Sequence, residues 1–135
     1  MDPDLNLLVD HGRSPRLRGR LPHPAHTMTV TNPLCQDTVT VDLSIKEGVI
    51  QDCRTDGEAC AICTASASIM ATRILHLSTE QAIELAATIR DAMTSPEPAD
   101  LGDLNDLLDI RQYPMRVKCV TLPWHAMVGA LGQTL

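Results

Sequence analysis

The chain has 135 residues, 44% hydrophobic and 21% charged, a balance that fits one domain and excludes a large multidomain enzyme. Trp124 and Tyr113 are the only aromatics, with no Phe, so the core must be built from Leu, Ile, Val, Met and Ala, and a stacking platform for bases is not expected. Seventeen acidic against eleven basic residues give a net charge of -6, which repels phosphate backbones and argues against a nucleic-acid partner.

In chain order, residues 3–11 place Leu5, Leu8 and Val9 on one face and predict a short helix that docks on another element. Arg13, Arg16, Arg18 and Arg20 follow in a segment broken by Gly12, Pro15 and Gly19, which reads as a solvated or partner-contacting arm. Asn6 and Asp10 interrupt the only apolar stretch near the N-terminus, so no export signal is recognised there. No run approaches the roughly 18 apolar residues of a membrane span. A cytoplasmic protein without membrane contact is expected.

Met28 and Val30 alternate with threonines in a first strand over 26–31 that ends at the Asn32-Pro33 turn. Val39, Val41, Leu43 and Ile45 alternate with Thr38, Thr40, Asp42 and Ser44 in a second strand over 38–45. Lys46-Glu47-Gly48 supplies a tight loop, and 49–55 reads as the returning strand of a hairpin. Cys53 shares the face of Val49 and Gln51 in that strand, which predicts a structural role.

The period then changes. Residues 60–77 are rich in Ala and Ser, suited to a helix that lies close on its neighbours. Ser78 and Gln81 spell a capping box that opens a second helix, which stops before Ser95-Pro96. Asp100, Asp103, Asp106 and Asp109 alternate with leucines in a short amphipathic stretch with an acidic, solvated outer face. A last helix is expected over 122–131, because Pro123 is tolerated best in a first turn; Cys119 would then lie at its N-terminal edge. Strands followed by helices predict an α+β fold, a three-stranded antiparallel sheet with helices packed on one face, in a single domain over 1–135.

Five cysteines, Cys35, Cys53, Cys60, Cys63 and Cys119, are an odd set that disfavours a disulfide framework and points to metal binding or thiol chemistry. Cys35, Cys60 and Cys119 fall at junctions between loops and elements, where unpaired backbone N–H groups favour a thiolate, and Arg116 and Lys118 add positive charge beside Cys119. Asp37 lies two residues from Cys35. Three thiolates and one carboxylate satisfy a closed tetrahedral Zn²⁺ site; an iron–sulfur cluster also takes four ligands, held less firmly when one is oxygen. Cys60 and Cys63 form a C-x-x-C pair, with no βαβ context to support a thioredoxin-like role. His76 and His125 fall in helical segments, where a surface histidine is the commoner finding.

Asn32-Pro33-Leu34-Cys35-Gln36-Asp37, Gly57-Glu58-Ala59-Cys60-Ala61-Ile62, Ala65-Ser66-Ala67-Ser68 and Arg116-Val117-Lys118-Cys119 resemble, in order, the motifs of the U-type iron–sulfur assembly proteins, which include IscU, the N-terminal domain of NifU, and SufU. Asp10-His11-Gly12-Arg13-Ser14-Pro15-Arg16 resembles the segment with which the family begins. The acidic segment of about 95–112 and Lys118, where IscU-like proteins have a histidine ligand, point to the SufU branch.

The resemblance implies a metal site of Cys35, Asp37, Cys60 and Cys119. It implies zinc at that site in SufU-like proteins, or a [2Fe–2S] cluster or iron in IscU-like ones. It also implies sulfur received from a pyridoxal-phosphate cysteine desulfurase, SufS-like, with Cys35 or Cys119 as persulfide acceptor, and apo iron–sulfur proteins or other assembly factors as further partners. A scaffold that builds a [2Fe–2S] cluster, and a zinc-stapled interaction module without chemistry, are the alternatives. Three departures stand out. Gln36 and Ala59 replace usual glycines, so altered backbone around Cys35 and Cys60 is expected, and Cys63 occupies a position that is commonly Ser.

Overall fold

Alternation and turn chemistry act locally as expected. The computed structural model describes residues 6–24, 26–33 and 36–135. Strands β1 (His26–Thr31), β2 (Thr38–Lys46) and β3 (Val49–Asp56) form an antiparallel sheet in that order. Val39, Val41 and Leu43 are buried on one face of β2. Glu47 and Gly48, both at positive φ, make the two-residue turn between β2 and β3, a geometry that matches the twist of the paired strands.

One expectation about β3 fails. Ile45 pairs with Ile50 but Ser44 pairs with Asp52, so Gln51 is an extra residue and the face of the strand changes at the bulge. Cys53 therefore lies with buried Thr55, away from exposed Gln51. Its structural role stands: it is buried in the core, and burial pushes its thiol up to about 12.

Helix α1 (Asn6–Arg13) packs on α2 (Ala61–Ile74); α3 (Thr79–Thr94) is opened by the Ser78–Gln81 capping box. A short α4 (Asn105–Leu108) is flanked by 3₁₀ turns, and α5 (Pro114–Ala130) crosses β1, β2 and α2. Helix α2 is buried on most of its surface, from Cys63 to Ile74. Its polar residues are satisfied where they meet the other elements. Ser66 Oγ donates to the Val120 carbonyl at 2.6 Å and accepts from Trp124 Nε1 at 3.1 Å. Ser68 Oγ accepts from the Arg16 amide at 2.7 Å and pairs with His11 Nδ1 at 2.7 Å. A buried hydroxyl left without partners would cost about 1–3 kcal/mol, so these bonds fix how α1 and α5 sit on α2.

The last helix begins at Pro114, eight residues before the expected start, and Pro123 lies inside it. Proline fits the first position because its missing N–H has no partner there in any case. It is Pro114 that fills this role. Cys119 is consequently one turn and a half into the helix, not at its edge.

The arginine segment is no loose arm. Arg16 pairs with Asp10 at 2.7 Å, and Arg18 lies 3.9 Å from Asp56. Leu17 and Gly19 exchange backbone hydrogen bonds with Thr55 along the open edge of β3. Arg20 Nε and the Leu21 amide both donate to the carboxylate of Asp42, which Thr27 Oγ1 also reaches at 2.6 Å. Burial alone would raise the pKa of Asp42, but these donors outweigh it and hold the carboxyl below its usual value. The acidic stretch is engaged as well. Asp103 pairs with Arg73, and Asp106 accepts from the Leu7 amide in the first turn of α1 at 2.7 Å.

Candidate metal centre

Asp37 stands just before β2, where the Asn32 amide donates to its carbonyl at 2.8 Å and the Thr38 amide donates to Glu58 at 2.8 Å. These bonds tie the start of β2 to the loop that enters α2. Gly57 permits the close approach. It has φ +129, and a Cβ there would overlap the Thr38 carbonyl oxygen and lie 2.9 Å from its carbon.

Cys60 is the N-cap of α2, with extended backbone, and its sulfur accepts from the Cys63 amide at 3.4 Å. The Cys60 amide donates to Asp37 Oδ1 at 3.0 Å. The other oxygen of the same carboxylate, Oδ2, lies 3.7 Å from Cys119 Sγ. One ligand atom each from Asp37, Cys60 and Cys119 lies within 4.8 Å of the others. Asp37 and Cys119 are buried and Cys60 is partly exposed, so the group opens to solvent on the Cys60 side.

The donor set fits a tetrahedral ion. With metal–sulfur bonds near 2.3 Å and metal–oxygen bonds near 2.0 Å, adjacent ligand atoms should be about 3.5 Å apart for S and O and about 3.8 Å for two sulfurs. The 3.7 Å between Asp37 and Cys119 already meets this. The described residues supply three ligands. Cys35 lies outside the described residues; it is two residues from Asp37, and two residues of chain reach at most about 7 Å.

Arg116 occupies the third position of α5, three residues before Cys119 and on the same face. Hydrogen bonding to Cys119, then the negative charge of Cys60 and Cys119, raises its pKa above the usual arginine value. One guanidinium thus serves both thiols. Arg116 is one of the two cations expected beside Cys119. Met115, 81% exposed, and Tyr113 stand next to it on the surface. Between α1 and α2 lies a cavity of about 400 Å³, lined by Leu8, Val9, Arg13, Ala61 and Ile62 among others.

The remaining expectations separate. Gln36 has φ +59, so the backbone keeps the left-handed conformation that a glycine would adopt without strain. Ala59 is not among the positive-φ residues, and nothing in its backbone calls for glycine. His76 is exposed in the turn after α2, at φ +68, outside the helix in which the sequence placed it; His125 lies in α5 and is not part of the ligand group, and burial, then the charge of Arg90, lowers its pKa. Sequence reasoning missed two supports. Arg111 donates to the carbonyls of Ala92, Ser95 and Glu97 and holds the acidic segment on α3. His11 bonds Ser68 of α2. Neither has a local sequence signature, because each partner is far along the chain.

Among the described residues, a three-stranded antiparallel sheet packed with five helices, with two cysteines and an aspartate gathered together, defines a U-type iron–sulfur assembly protein. The chain belongs to the NifU-like N terminal domain family, which matches residues 6–120. It is 32% identical over 124 residues to the zinc-dependent sulfurtransferase SufU of Bacillus subtilis (strain 168), covering 90% of this chain and 84% of that one. It is 34% identical over 129 residues to the iron–sulfur cluster assembly scaffold protein IscU of Thermotoga maritima, covering 92% and 89%. The crystal structure of FiSufU from Fervidobacterium islandicum AW-1 superposes with a TM-score of 0.87 at 28% identity, covering 93% of each chain. The N-terminal NifU-like protein from Brucella abortus gives 0.87 at 25% identity, covering 96% and 94%. No helix among the described residues is long and apolar enough to cross a membrane.

Proposed function

We propose that this chain accepts sulfane sulfur from a pyridoxal-phosphate cysteine desulfurase at a zinc site made by Cys35, Asp37, Cys60 and Cys119, as a SufU-like sulfur carrier for iron–sulfur cluster assembly. The observation that carries the reading is the convergence of Asp37, Cys60 and Cys119 on one point beside Arg116. When bound, zinc keeps its ligand thiols deprotonated, the form that attacks sulfur.

The chain's own residues do the rest. Asp37 holds the Cys60 amide with one oxygen and offers the other to the centre, so the carboxylate fixes the α2 start as well as serving as ligand. Arg116, beside both thiols, would stabilise the negative charge of a thiolate attacking the desulfurase persulfide in the manner of thiol–disulfide exchange. Cys35 is the proposed acceptor. Cys119 is the alternative, and its 1% exposure requires it to be uncovered before a partner's persulfide can reach it.

Alanine release by the desulfurase from cysteine, measured with the native chain and with Cys35→Ala and Cys119→Ala, tests the proposal. Loss of stimulation in at least one variant, with about one zinc per chain in the native protein, is the expected result; full stimulation by both variants would overturn it. A transferable [2Fe–2S] chromophore after anaerobic reconstitution would instead favour the scaffold role of the IscU relatives.

A further inference from the structure

Cys63 lies in the hydrophobic core three residues after the metal-site cysteine Cys60, and among the described residues it is not part of the ligand group. It is the third residue of α2, with 0% exposure, and its backbone N–H donates to the sulfur of Cys60, the partly exposed N-cap. Helix geometry puts Cα atoms three residues apart at about 5 Å, within the roughly 4.4–6.8 Å that a disulfide spans. The four described cysteines are all in the thiol form. A partly exposed cysteine thus precedes a buried one at the start of the same helix, and Cys60 is the one of the two that a reagent meets first.

We propose that Cys60 and Cys63 form an exchange dithiol, in which Cys63 displaces any divalent sulfur that Cys60 has taken up and closes a Cys60–Cys63 disulfide. With a low-molecular-weight disulfide, the Cys60 thiolate attacks one sulfur and the first thiolate leaves. Cys63 then attacks the Cys60 sulfur; the mixed disulfide breaks, and the second thiolate leaves with the Cys63 proton. The two cysteines together lose two electrons, and the reagent is reduced to two thiols. With a persulfide on Cys60, the same attack expels hydrosulfide, so the dithiol reduces sulfane sulfur to sulfide and a dithiol reductant reopens the bond.

The persulfide source rests on the sulfur-accepting reading above; the disulfide source does not. A sulfur first held by Cys119 can reach Cys60 by local exchange, since their ligand atoms lie within 4.8 Å. Closing the disulfide also withdraws Cys60 from Asp37 and Cys119.

The full chain and its Cys63→Ser and Cys63→Ala variants are treated with a limiting amount of the aromatic disulfide 5,5′-dithiobis(2-nitrobenzoate), and Cys60 is mapped by peptide mass. The native chain should release about two equivalents of aromatic thiolate per reagent consumed at Cys60 and yield the Cys60–Cys63 disulfide; both variants should stop at about one, as the mixed disulfide. A Cys60 adduct that persists in the native chain as long as in the variants would overturn the proposal. In a second arm, a cysteine desulfurase and cysteine supply sulfur without reductant. Sulfide release by the native chain, with retained persulfide in both variants, is expected. A disulfide in the first arm with no sulfane sulfur on any chain in the second would remove the sulfur-accepting reading and leave the dithiol in place.

Discussion

Replacing Gly57 by Ala is the sharpest structural test of how the metal centre is held. Gly57 and Gly48 both have positive φ, +129 and +76, yet their surroundings differ: a Cβ at Gly48 meets nothing within 4 Å, whereas one at Gly57 overlaps the Thr38 carbonyl and lies 3.2 Å from Val39 Cα. Gly48→Ala should therefore cost only the left-handed conformation, about 1–2 kcal/mol. Gly57→Ala adds a clash with backbone that no rotamer relieves, for a total of about 3–5 kcal/mol. With unfolding entropy of about 2.1 cal/mol/K per residue, each kcal/mol lowers Tm by about 3.5 °C in a chain of this length. The expected falls are about 4–7 °C for Gly48→Ala and about 10–17 °C for Gly57→Ala. Thermal unfolding by circular dichroism reads both. Because relief of the clash must part Thr38 from Glu58, metal affinity should fall with Gly57→Ala alone. Equal Tm losses in the two variants would refute the close approach of β2 to the α2 entry.

Asp37→Ala should weaken zinc binding at least about tenfold by chelator competition, since one carboxylate both offers a ligand atom and holds the Cys60 amide. Arg116→Ala should slow alkylation of Cys60 by iodoacetamide several-fold, with little change in Tm, because this exposed side chain acts on the thiols and not on the core. Ser66→Ala leaves the Trp124 indole N–H without its acceptor in a buried site, and denaturant unfolding should register a loss of about 1–2 kcal/mol. Burial, then the charge of Arg16, lowers the pKa of His11. The unfolded chain thus takes up the proton more readily, so stability falls as pH drops below the usual histidine value of about 6.5. His11→Gln should reduce the loss of Tm between pH 7 and pH 5, and an unchanged loss would assign it to other groups, His125 among them.

Much of the fold is legible along the chain because its causes are local. The β2 alternation, the Glu47-Gly48 turn and the Ser78–Gln81 box each depend on residues that are neighbours along the chain, and each element forms where that pattern places it. Errors arise where distant residues decide. Pro123 looks like a helix start, but packing of α5 against α2 and the sheet carries the helix through it from Pro114. The extra residue at Gln51 has no sequence mark, since only the pairing of Ser44 with Asp52 reveals it.

Residue chemistry, by itself, determined the kind of centre: thiols and one carboxylate at loop junctions, with a cation nearby. Tertiary structure decided which of them meet. Asp37 and Cys119 are 82 positions apart and come to 3.7 Å only because β2 and α5 pack together and Gly57 lets the α2 entry lie against β2. The same packing separates cysteines that composition cannot distinguish. Cys53 is sealed in the sheet core, Cys60 and Cys119 lie at the carboxylate, and Cys63 is buried in the first turn of α2. A ligand's identity is a property of a residue, but its distance from the next ligand is a property of the whole chain.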